Sequence, residues 1–286
     1  MASVPPPRSA LEADTTAAFP YSIPPGFDAA VRHSIRGALA ILDADPGFYR
    51  CMDDIPTYAL GVLALYLHAT DRLYHRGLQE AARDLFSAGR ATAVLARMQS
   101  AGLIVPRDDF RSGRQRRYAP EPAMIEAYRT CYRIELESLS LIDPRVGRLV
   151  QTYDDPAVFE DIVGFLARRH LAAATLDQEL IDPLGGIGAH SMGLMLAYAL
   201  AEAAFQAGFD RPEGEVSVNI THLARRLGVS RTHARRLLKR LHDAGLTTVG
   251  DKTGVLVLNP AFADGFALYF LGMFTTLMAA VEHRIS

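Results

Sequence analysis

Residues 224–246 read ARRLGVSRTHARRLLKRLHDAGL. A short helix ends at Leu227. Gly228 supplies the positive φ of a tight turn, and the Ser230 side chain caps the helix that follows. That second helix places Ala234, Leu237, Leu238 and Leu241 at i, i+3, i+4 and i+7, one apolar stripe. Its other positions are Arg231, Thr232, His233, Arg235, Arg236, Lys239, Arg240 and His242. A helix that is apolar on one side and cationic on the other suits a polyanion. The stretch predicts a helix-turn-helix, and the segment after it, Leu246–Leu258, predicts a β-hairpin with Asp251-Lys252-Thr253 at its tip between Gly250 and Gly254.

The pattern has a partner earlier in the chain. Shifted by 143 positions, residues 87–103 match residues 230–246 at seven of seventeen sites: Ser87/Ser230, Ala91/Ala234, Leu95/Leu238, Arg97/Arg240, Ala101/Ala244, Gly102/Gly245 and Leu103/Leu246. Ordinary residue usage gives roughly one. Upstream the match needs a one-residue insertion around Ser87-Ala88-Gly89. A second hairpin is expected over Leu103–Tyr118. The rest reads as helix over Phe27–Leu42, Tyr58–His68, Gln79–Phe86, Arg90–Ala101, Ala123–Leu141, Pro156–Glu179, Ser191–Ala207 and Ala261–His283, with a short strand at Val216–Val218. The fold class is therefore mainly α with small β-hairpin wings: two winged helix-turn-helix units in tandem, a pseudo-dimer on a helical scaffold. The expected divisions are a flexible tail over 1–26, a first unit over 27–142 and a second over 143–286.

Composition narrows the function. Apolar residues make up 49% of 286 and the net charge is -2, so the core is ample and any nucleic-acid contact must come from local charge. Cys51 and Cys131 form neither a disulfide framework nor a zinc site, which fits a reducing, cytoplasmic compartment. His68, Asp71 and His75 read as scattered surface residues rather than metal ligands. The uncharged run Phe266–Val281 is shorter than the roughly 20 residues of a membrane span, and reads as a core or oligomer-interface helix. No phosphate loop, nucleophile elbow or metal motif is present; neither enzyme activity nor a cofactor is expected.

A recognition helix enters the major groove and reads bases with its first turns. In the second unit Arg231, Thr232, Arg235 and Arg236 are assigned to the groove, the last two as guanine readers; Lys239, Arg240 and Arg226 are assigned to phosphates. His233 either reads or caps, and Ser230 and Lys252 border the same surface. The first helix is less basic, offering Arg90, Thr92, Ala93 and Arg97. Its hairpin compensates with Arg107, Arg111, Arg114, Arg116 and Arg117, of which Arg111 and Arg114 suit a minor groove and Arg116 and Arg117 phosphates.

The run Asp109-Phe110-Arg111-Ser112-Gly113-Arg114 resembles the wing of the MarR family, whose Asp-x-Arg pattern is matched by Asp109 and Arg111. The exit Ala101-Gly102-Leu103-Ile104 resembles that family's Gly-Leu step into the wing. The resemblance covers about residues 55–122; the second hairpin, Val249–Gly254, lacks Asp-x-Arg. It implies a two-fold arrangement, here within one chain, and a small-molecule effector bound between the DNA-binding lobe and the helical interface. The expected function is a sequence-specific regulator of transcription that binds double-stranded DNA. The alternatives are a winged-helix protein-interaction module and a ligand-sensing regulator without strong DNA binding of its own. Two basic surfaces one helical turn apart, about 34–36 Å, a pocket lined by Tyr58–His68 and Ser191–Ala207, and homodimerisation through the terminal helices complete the expectations.

Overall fold

The structure is a computed structural model and describes residues 23–83, 87–107, 116–172 and 184–285. The first half contains α1 (Phe27–Ala44), α2 (Pro46–Cys51), α3 (Ile55–Ala69), α4 (His75–Ala81), α5 (Ala88–Ser100), β1 (Ile104–Arg107), β2 (Arg117–Pro120) and α6 (Pro122–Ser140). The second contains α7 (Pro144–Gln151), α8 (Pro156–Ala172), α9 (Leu184–Gly188), α10 (Gly193–Gln206), β3 (Gly214–Ser217), α11 (Ile220–Arg226), α12 (Arg231–Asp243), β4 (Thr247–Val249), β5 (Val255–Leu258) and α13 (Pro260–Ile285). The chain is mainly helical with two small antiparallel sheets, β1-β2 and β3-β5-β4.

Three short helices, α2, α7 and α9, were not expected. Two begin at Asp-Pro steps. Asp45 accepts from the Gly47 amide at 2.9 Å and Asp143 from the Arg145 amide at 2.9 Å, while proline takes the first helical position, where a missing N–H costs nothing. Asp45-Pro46-Gly47, expected only to end a helix, ends one and starts the next. The predicted tail lies outside the described residues up to position 22, as do Asp109, Arg111, Arg114 and the end of the helix expected to reach Glu179.

The two halves repeat each other in detail. Ser87 accepts from the Arg90 amide at 3.2 Å and Ser230 from the His233 amide at 3.1 Å. Both helices end on a left-handed glycine, Gly102 at φ 68° and Gly245 at φ 72°. Leu103 then donates to Met98, and Leu246 to Leu241, each at 2.9 Å. The offset of 143 thus persists from cap to exit. The interval from Ala82 to Ser87 is longer than that from Leu227 to Ser230, so the extra residues precede Ser87 and do not fall at Ser87–Gly89 as expected. β3 pairs with β5, and in the first half a single bridge, Tyr74 to Arg117, stands in its place.

Packing follows the same two-fold logic. α1 lies on α6 as α8 lies on α13, and α2 meets α5 as α9 meets α12. The halves also exchange partners: α3 packs on α8 of the second half, and α10 on α1 of the first. One core runs through both, so the boundary near residue 142 divides the sequence repeat but not the core. α13 is longer than the uncharged run expected, and by length and composition it could cross a membrane. Here its Phe262, Phe266, Phe270 and Phe274 are buried, with Phe270 stacked on Tyr198 and Phe274 edge-on to Phe27.

The α1–α6 contact holds an acidic group. α1 approaches α6 closely at Gly37, where a Cβ would strike Ile134. One turn away, Ser34 donates to both carboxylate oxygens of Glu135 at 2.8 Å. Burial pushes the Glu135 carboxyl up to about 7, against the lowering effect of the Ser34 hydrogen bond. A carboxyl whose pKa is raised on folding takes up protons on folding, so stability falls as pH rises from about 4.5 to about 7. Urea denaturation midpoints are expected to drop across that window, and Glu135→Gln is expected to flatten that component of the profile.

Candidate nucleic-acid interface

α11 and α12 are joined through Leu227, Gly228, Val229 and Ser230. Asn219 starts α11 by accepting from the Thr221 and His222 amides at 3.0 Å. Leu227 is buried, and Gly228 turns at φ 66°, a left-handed conformation that strains any residue with a Cβ, which would also have to displace the end of the Arg50 side chain. α12 buries Ala234, Leu237 and Leu241, and Leu238 packs partly against the core. Each buried leucine contributes about 1.5–3 kcal/mol, which fixes the rotation of the helix and hence the outward face.

That face presents Arg231, Thr232, Arg235, Arg236, Lys239 and Arg240, all exposed. Lys239 forms an i, i+4 pair with Asp243 at 2.7 Å. Among the described residues, no carboxylate lies within ion-pair distance of Arg231, Arg235, Arg236 or Arg240. At its N-terminal end the charge order opposes the helix dipole, since the first turn carries Arg231 and no acid; at the other end Asp243 stands beside Arg240 and His242, which suit it. Each such placement costs a few tenths of a kcal/mol up to about 1. A merely solvated helix gains nothing from that order, whereas an anion drawn to the positive N-terminal end would. Lys252 is exposed on the hairpin tip, next to an exposed Val249.

Several residues assigned to DNA are engaged inside the protein. Arg226 binds Asp43 at 2.8 Å and Glu202 at 2.6 Å, tying α11 to α1 and α10; its hydrogen bond holds the Asp43 carboxyl below the usual range. Arg97 pairs with Asp53 at 2.9 Å and reaches Thr57, while Arg90 donates to both Asp54 oxygens at 2.8 Å. These geometries reassign Arg226 and Arg97 from phosphate or base contacts to internal ion pairs, and commit Arg90 to Asp54. The Thr92 hydroxyl is held by Gln79 and His75, and Ala93 is exposed. α5 therefore turns a nearly neutral face outward. Arg117 is paired with Asp71, and Arg116 is exposed. Asp43, Asp53, Asp54 and Glu202 were not singled out in the sequence. The Asp54-Ile-Pro-Thr57 cap was the available signal, and Asp54 does accept from the Thr57 amide at 2.8 Å.

The first turns of α5 and α12 are linked through the segments at Asp53-Asp54 and Ser191-Met192. Arg90 binds Asp54; the Met192 amide donates to the Asp53 carbonyl at 2.5 Å; the Ser191 carbonyl accepts from His233 at 2.9 Å. Bond lengths and side-chain reach cap this path from Arg90 to His233 below the roughly 34 Å between successive half-sites. The expectation of two readers one DNA turn apart is corrected accordingly.

The expected pocket is also displaced. A cavity of about 130 Å³ lies between α3 (Leu65, Tyr66, His68), α6 (Ile125, Arg129) and α8 (Phe159), rather than against α10. A smaller one of about 30 Å³ occupies the corresponding place in the second half, at Phe27, Phe205 and Phe266. Compared with family models, curated proteins and solved structures, the chain gives no match.

Proposed function

We propose that the chain is a sequence-specific double-stranded-DNA-binding regulator of transcription, built as two winged helix-turn-helix units on a shared helical scaffold. One observation carries the reading: α12 is capped and locked by its leucines, and it exposes four arginines that no carboxylate among the described residues neutralises. In this reading α12 enters a major groove, Arg235 and Arg236 read guanine edges, and Arg231, Lys239, Arg240 and Lys252 approach phosphates. α5 contributes position rather than readout.

A protein-interaction module is the rival that the neutral face of α5 favours, and salt separates the two. Neutralising on the order of five phosphates gives log K against log salt a slope of about -4 to -5. Affinity for duplex, read by fluorescence anisotropy, is expected to fall two to three orders of magnitude between roughly 50 and 200 mM salt. Absence of duplex binding at the low-salt end overturns the proposal.

A further inference from the structure

Two helix positions related by the 143-residue offset bind segments that are joined to each other by the Met192–Asp53 hydrogen bond. Arg90, third in α5, grips Asp54; His233, third in α12, meets the Ser191 carbonyl. The contacts of His233 define its state. A carbonyl only accepts, so Nε2 carries the hydrogen in its 2.9 Å bond to Ser191. A guanidinium only donates, so Nδ1 is the acceptor in the 2.8 Å bond from Arg236 Nη2. Both bonds form together only in the neutral imidazole with its hydrogen on Nε2.

We propose that His233 is a positioning residue that aims Arg236 at its base. One Nη2 hydrogen is spent on Nδ1, and the guanidinium edge formed by Nη1 and the other Nη2 hydrogen stays free to fork onto guanine O6 and N7. Anchoring one hydrogen fixes a side chain that otherwise loses its rotamer freedom on binding. The anchor lies in the same half as α12 and is itself tied to the first half. Ser191 precedes Met192, one of two described non-glycine residues with positive φ (59°), and the Met192 amide is bound to the Asp53 carbonyl. Asp53 and Asp54 in turn hold Arg97 and Arg90 of α5. The first half thereby sets the aim of the second half's reader, which accounts for a recognition-like helix whose own arginines are turned to internal carboxylates.

This inference rests on the DNA-reading proposal, and the test separates the two. Duplexes are selected from a random-sequence pool with the full chain, His233→Phe and His233→Gln. His233→Phe keeps a ring but neither the acceptor nor the donor to Ser191. Its thermal midpoint is expected to fall with the lost Ser191 bond, and, below that midpoint, preference for the guanine read by Arg236 over unrelated duplex is expected to drop about tenfold. His233→Gln, which offers a donor and an acceptor, is expected to recover part of that preference. An unchanged motif with His233→Phe overturns the positioning role alone; a full chain that enriches no motif overturns both proposals. Nitrogen NMR of the unmodified protein checks the same point without a variant: His233 is expected as the Nε2–H tautomer, and an Nδ1–H form contradicts the arrangement.

Discussion

Replacing Arg235 and Arg236 together by alanine is expected to weaken binding to a selected duplex by about two to four orders of magnitude. Each bidentate arginine–guanine contact is worth about 1–3 kcal/mol of discrimination, and each 1.4 kcal/mol is tenfold. The fold is expected to tolerate the change. Both side chains are exposed, neither touches a carboxylate, and alanine is the better helix former. Among the described residues, the side-chain bond lost is the one from Arg236 to His233. Anisotropy titrations on the selected and an unrelated duplex are expected to converge for the variant. Urea denaturation is expected to match the parent, so that loss of binding is not loss of structure.

The second large effect is opposite in kind. Arg226→Leu is expected to lower stability by about 3 kcal/mol, because it removes the cation between Asp43 and the largely buried Glu202. Arg226→Lys is expected to rescue little: one ammonium on a flexible stem does not reproduce the fork that spans two acids. The Asp43 carboxyl, held below its ordinary value chiefly by its hydrogen bond to Arg226, adds stability that is present above the unfolded carboxylate range and lost as pH falls through the folded value. DNA affinity of the folded Arg226→Leu protein is expected to be unchanged. A variant with parental stability and impaired DNA binding would return Arg226 to the phosphate-contact role that its sequence position suggested.

How legible this was depended on the range of the interaction. The α11–α12 turn, the Ser87 and Ser230 caps and the glycine exits are local, since each is fixed by residues a few positions apart. The repeat was readable because Ala91, Leu95 and Gly102 keep their spacing in Ala234, Leu238 and Gly245. The ion pairs were not readable, because Arg226 finds Asp43 across most of the chain and Arg97 finds Asp53 only after α5 docks against α2 and α3. Arginines on one predicted face look alike in sequence; packing decides that those of α5 turn inward and those of α12 turn out. The spacing of the two helices was likewise beyond reach, since it depends on how α3 crosses to α8 and α10 to α1.

The most direct measurement is a methylation-protection footprint of guanine N7 on the selected duplex bound to the full chain. N7 lies in the major groove, where α12 is placed. One short run of protected guanines within a single major groove, lost with Arg235→Ala/Arg236→Ala, is the predicted result. Full binding with every N7 still reactive, or two protected runs a helical turn apart, would contradict the account.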